Sequence, residues 1–164
     1  MPLLIAITGG IGAGKSYVAG IIQSLGYKVY DCDSRAKILM NTDSQLQSEL
    51  KNVFGNEVIT DGTINKEYLA SLVFTNKSLL QSLNSIVHPA VINDIKQWAA
   101  EHSQEKLLFI ETAIPKESGI DKIVDAVIFV DADEELRIKR VMARNSIDYD
   151  AVKSRINSQT VSAN

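Results

Sequence analysis

Residues Gly9 to Ser16 read Gly-Gly-Ile-Gly-Ala-Gly-Lys-Ser, a full match to the phosphate-loop pattern G-x-x-x-x-G-K-[ST]. No other stretch constrains the fold as strongly, because such a loop works only between a strand that delivers the chain and a helix that leads it away. Gly9, Gly12 and Gly14 lack a Cβ, so the backbone can turn tightly and aim consecutive N–H groups at phosphate oxygens. Lys15 brings a mobile positive charge for the β- and γ-phosphates, and the Ser16 hydroxyl is placed to ligate Mg²⁺. The flanks agree with this reading. Leu3 to Ile7 is a continuous apolar run of buried-strand type. Tyr17 to Leu25 carries Val18, Ile21, Ile22 and Leu25 at helical spacing and stops at Gly26. The helix would point its positive end at the bound anion. The motif therefore implies a nucleoside triphosphate site.

The strand candidates Leu3–Ile7, Tyr27–Asp31, Leu107–Glu111 and Ala126–Asp131 alternate with helical stretches. That alternation predicts an α/β fold, a three-layer α/β/α arrangement around a parallel sheet. Residues 34–104 lack strong strand signals. They read as helices over Arg35–Met40, Ser44–Val53, Lys66–Val73, Lys77–Val87 and Ala90–Glu101. The expected organisation is one domain over 1–164. Residues 1–33 and 105–164 form the nucleotide-binding core, and 34–104 form a helical insertion for the second substrate. Glu134–Gln159 reads as two helices broken near Asn145–Asp148, with a lid over about 137–155. The length of 164 residues suits one domain with a substantial core. A net charge of −3 with scattered Lys and Arg marks no nucleic-acid face, and no apolar run reaches membrane-spanning length. The single Cys32 cannot form an internal disulfide and reads as a small buried filler. A cytoplasmic protein is expected, monomeric unless an oligomer forms, with no nucleic acid and no membrane as partner.

Chemistry beyond the loop gathers at three places. Asp31-Cys32-Asp33 closes the second strand, where residues i and i+2 share a face, so both carboxylates are expected to look at one spot. A phosphoryl-transfer site needs a carboxylate to accept the acceptor's proton or help hold Mg²⁺, and Asp33 is read as that catalytic group. The alternative for this segment is capping of the next helix by Asp31 or Ser34. Glu111 ends the third strand beside the loop, either orienting Mg²⁺-bound water or the acceptor, or standing as a solvated strand end. Arg140 and Arg144 lie one helical turn apart, either closing over the transferring phosphoryl group or forming a solvated face paired with Glu134 or Glu135. His88-Pro89 reads as punctuation between two helices.

Taken together, the phosphate loop from Thr8 to Ser16, Asp31-Cys-Asp33, Leu83-Asn-Ser-Ile-Val-His-Pro89 and Arg140-Val-Met-Ala-Arg144 through Gln159 strongly resemble the dephospho-CoA kinase family. The resemblance runs in order along nearly the whole chain. It implies ATP-dependent phosphorylation of the ribose 3′-hydroxyl of dephospho-coenzyme A, the last step of coenzyme A synthesis. Carried onto matching positions, it implies that Gly10, Gly12, Ala13, Gly14, Lys15, Ser16 and Tyr17 bind ATP and that Ser16 holds Mg²⁺. Asp33 would be the base for the 3′-hydroxyl, and Asp31, Asp33, His88 and Glu117 would serve the acceptor. Lys15, Arg140 and Arg144 would stabilise the transferring group, the arginines from the lid. Three departures stand out. Glu111-Thr-Ala-Ile-Pro-Lys-Glu117 replaces an Asp-Val-Pro-Leu-Leu-Phe-Glu-like segment, and Asn65-Lys66 replaces a commoner Asp-Arg pair. The family usually continues into a fifth strand, which would leave Ala126–Asp131 as a sheet edge here. Two rival readings are another phosphate-loop kinase of small molecules and a non-catalytic nucleotide switch. Residues 34–104 hold only one arginine, Arg35, which disfavours a multiply charged acceptor gripped there.

Overall fold

A computed structural model describes residues 1–158. The elements run β1 (Leu3–Gly9), α1 (Lys15–Ser24), β2 (Lys28–Asp31), α2 (Cys32–Thr42) and α3 (Ser44–Phe54). A hairpin of β3 (Ile59–Thr60) and β4 (Thr63–Ile64) follows, then α4 (Lys66–Val73) and α5 (Lys77–Glu101). The described chain ends with β5 (Leu107–Glu111), α6 (Pro115–Ser118), β6 (Ala126–Val130), α7 (Glu134–Asn145) and α8 (Tyr149–Ser158). The chain forms two compact units, Met1–Asp31 with His102 onward and Cys32–Glu101, against expected insertion limits of 34–104.

The first unit is built on a parallel sheet in the order β2-β5-β1-β6. Its central strands β1 and β5 are apolar and largely buried on both faces. Ile7 and Phe109 pack against Ala19 of α1, with Val18, Ile22 and Val29 around them. The alternate residues Ala6, Leu108 and Ile110 are also fully buried. The class is the α/β architecture expected. Two details of α1 differ, since Ile21 and Leu25 are exposed and its contact face centres on Ala19. Among the described residues β6 pairs only with β1, and Val127 and Ile128 on it are exposed. The expected sheet edge is therefore present.

The second unit is helical around Leu46, Leu50 and Phe54, spaced i, i+4 and i+8 on α3, with Val58, Ile64 and Leu69 completing the core. Asp43 starts α3 by accepting from the Gln45 and Leu46 N–H groups at 3.0 and 3.1 Å. Two readings of this stretch need correction. The expected break at His88-Pro89 does not occur, and α5 runs unbroken through both residues. Proline removes one hydrogen bond, to the Ser85 carbonyl. Burial of Val87, Val91 and Ile95 on one side of the proline and the other holds the helix continuous. The stretch also contains the β3–β4 hairpin, whose turn places Asp61 at φ 51° and Gly62 at φ 81°. Both central residues with positive φ define the tight hairpin turn that Asp-Gly favours.

Candidate active site

The loop leaves β1 at Gly9 and enters α1 at Lys15. Gly12 and Gly14 adopt φ of 76° and 100°, conformations that any other residue would hold only under strain. The Ala13 N–H closes a turn on the Gly10 carbonyl at 3.1 Å. Gly14 is the N-cap of α1 and provides no side-chain acceptor, so the first-turn donors of this helix have no partner within it. An anion is what such an end accepts. Lys15 sits half-buried in that turn, Ser16 is exposed, and Tyr17 is 76% exposed and points away from the core.

The carboxyl edge of the sheet supplies the acidic side of the site. Register places Glu111 between Asp31 of β2 and Ile7 of β1, so the two carboxylates stand side by side on neighbouring strands. Glu111 follows Phe109 by two residues and so shares the face that α1 covers. The Ser16 hydroxyl donates to Glu111 Oε1 at 2.6 Å. The bond gives the strand end a side-chain partner on α1. A hydroxyl and two carboxylates form an all-oxygen set suited to Mg²⁺, which takes few protein ligands and keeps water and phosphate for the rest.

The other flank of the loop is basic. Arg140 Nη1 donates to the Gly12 and Ala13 carbonyls at 3.2 Å each, and Arg137 Nε donates to the Ile11 carbonyl at 2.9 Å. Ile11 itself packs against the cluster formed by Ile138, Val141, Val152 and Ile156, which ties α7 to α8. The expected pairing of Arg140 with Arg144 is not what reaches the loop. Arg144 Nε donates to Asn145 Oδ1 at 3.3 Å, at the end of α7 where a cation suits the helix dipole. Arg137, one turn before Arg140, meets the loop instead. Its i, i+3 spacing to Arg140 was the available signal.

Asp33 calls for a correction of a different kind. Helix α2 starts at Cys32 directly after β2, so Asp33 lies in a first helical turn and the strand rule of shared faces does not apply to it. Cys32 is buried, as a small filler would be. His88 is half-buried in the middle of α5, and Glu117 is exposed on α6. Gln159, the last residue of the stretch that carries the family resemblance, lies outside the described residues.

The family model for dephospho-CoA kinase matches residues 3–164. The chain belongs to the dephospho-CoA kinase family. It is a kinase of the last step of coenzyme A synthesis. Dephospho-CoA kinase of Porphyromonas gingivalis is 40% identical over 96% of this chain and 77% of its own length. That of Fusobacterium nucleatum is 37% identical over 96% and 81%. Among solved structures, a Thermus thermophilus protein superposes with a TM-score of 0.81 at 34% identity, covering 97% of this chain and 81% of its own. Dephospho-CoA kinase from Campylobacter jejuni gives 0.66 at 28% identity, with the same coverage.

Proposed function

We propose that the protein transfers the γ-phosphoryl of ATP directly to the ribose 3′-hydroxyl of dephospho-coenzyme A, giving coenzyme A and ADP. The bond from the γ-phosphorus to the β,γ-bridging oxygen breaks, a bond to the 3′-oxygen forms, and the hydroxyl proton passes to Asp33. The main-chain N–H groups of the loop hold the β- and γ-phosphates, and Lys15 follows the charge as it spreads over the equatorial oxygens. When bound, Mg²⁺ would supply positive charge that offsets the charge of the phosphates. Ser16 and Glu111 would hold it, with Asp31 beside them. Arg140 adds positive charge at the rim of the loop, and the α7–α8 pair serves as a lid that excludes water, limiting hydrolysis of ATP.

The observation that carries this reading is the 2.6 Å contact of Ser16 with Glu111 beside an uncapped helix end. The second unit is the proposed acceptor side. Its single arginine, Arg35, is held by Asp94 through two bonds of 2.9 Å, so it is already matched by a carboxylate. His88 and Glu117 are proposed acceptor contacts, and Arg144 joins Arg140 only as the lid closes. No described helix is long and apolar enough to cross a membrane. A cytoplasmic monomer fits the single cysteine and the scattered charge. ADP release measured with and without dephospho-coenzyme A tests the reading. Release that depends on this acceptor supports it. Release with a different small alcohol alone, or binding of ATP with no turnover, contradicts it.

A further inference from the structure

We infer that Arg137 is a positioning residue of the phosphate loop, its guanidinium seated in the space left by the missing side chain of Gly10. The inference rests on the reading of this loop as an ATP cradle. Gly10 does not have a positive φ, so a left-handed backbone is not what calls for glycine there. What requires glycine there is space. A Cβ on Gly10 would stand 2.6 Å from Arg137 Cζ and 3.2 Å from its Nε, and would overlap Nη2. The guanidinium therefore lies against the main chain of the loop, and Nε donates 2.9 Å to the Ile11 carbonyl.

The chemistry follows from the peptide plane. In a trans peptide the C=O of Ile11 and the N–H of Gly12 point to opposite sides, and no cis peptide is present among the described residues. Tying the Ile11 carbonyl to Arg137 thus turns the Gly12 N–H the other way. Arg140 does the same for the next peptides through the Gly12 and Ala13 carbonyls. Two guanidiniums on one helix draw consecutive carbonyls outward, which orients the Gly12 and Gly14 N–H groups for an anion before it arrives, while the Ala13 N–H between them stays on the Gly10 carbonyl. Packing holds the helix to the loop as well, because Ile11 lies against the cluster of Ile138, Val141, Val152 and Ile156. Preorganised donors improve affinity by reducing the ordering cost of binding.

The test is a double-mutant cycle on the full chain with Gly10→Ala, Arg137→Ala and the double variant, read by Mg·ATP affinity and by the KM values for ATP and dephospho-coenzyme A. Gly10→Ala collides only with the far end of a flexible side chain, so it dislodges Arg137 without unfolding the loop. Each single variant should weaken ATP roughly tenfold and leave the KM for dephospho-coenzyme A unchanged. Gly10→Ala should add less than about twofold when Arg137 is already alanine. Equal losses for Gly10→Ala in both backgrounds would overturn the proposal, since Gly10 would then matter for phosphate alone. Amide hydrogen exchange of the nucleotide-free variants gives a second readout. Faster exchange at Gly12 to Gly14 in both single variants is expected, and unchanged exchange would overturn the proposal. ATP failing to bind the wild-type chain would count against the nucleotide reading, with the exchange result still judging Arg137.

Discussion

Lys15 and Asp33 differ in how strongly the fold commits them. Lys15 is fixed in the first turn of α1 by the same glycines that shape the loop. Replacing it with alanine removes a cation proposed to follow the transferring group, and a loss of about a hundredfold or more in kcat is expected from steady-state rates. A rate within twofold of the parent would remove Lys15 from the transfer step. In the proposed reaction Asp33 takes the acceptor's proton and does not touch the nucleotide. Asp33→Asn should therefore lower kcat by roughly a hundredfold to ten-thousandfold, while calorimetric titration gives an Mg·ATP affinity close to wild type. Both residues stand out in the sequence as candidates, Lys15 from a gap-free motif and Asp33 from its place beside Asp31. The local geometry of Asp33 was not legible, because strand and helix meet without a loop at Cys32 and no turn residue signals the change.

Helix α7 shows what an element contributes beyond its arginines. Asp133 caps it by accepting from the Leu136 N–H at 3.0 Å. Asp133→Ala should cost about 1 kcal/mol by denaturant titration, and no measurable change would mean that the packing of Ile138 and Val141 holds the helix start without the cap. The contact from α8 to α7 carries a pH signature. The Tyr149 hydroxyl donates to Glu135 at 2.9 Å, and this hydrogen bond, with some desolvation and the charge of Glu135, raises the phenol above its ordinary 10.0. A folded value above the unfolded one favours the protonated form. The contact's contribution is thus complete below about pH 10 and is lost as pH rises through the raised value. Ultraviolet difference titration against Tyr149→Phe should show one phenol ionising above 10, and ionisation at or below 10 would contradict the bond. Helix existence was readable from apolar spacing, yet the course of α5 was not. A proline weighs one hydrogen bond, whereas Val87, Val91 and Ile95 bind the helix to the core on each side of it. The β3–β4 hairpin had its signal in Asp61-Gly62, between runs too short to read as strands.

At the scale of the molecule, the α/β class followed from four apolar runs spaced by helices, which only a covered parallel sheet accommodates. The partners of the loop were less visible, because Ser16, Glu111, Arg137 and Arg140 come from positions up to 128 residues apart for a single bond, that of Arg140 to Gly12. Spacing along a chain does not report such pairs. The helical unit stands on its own core, so Leu50→Ala, at a side chain with no exposure, should destabilise by about 2–5 kcal/mol in urea unfolding. A loss below about 1 kcal/mol would show that the unit repacks around the gap. The most direct test of the whole account is phosphorus NMR of the product made from ATP and dephospho-coenzyme A. A new phosphomonoester coupled to the ribose 3′ proton is the predicted result, and inorganic phosphate alone, or a phosphoryl group on any other hydroxyl, would contradict it.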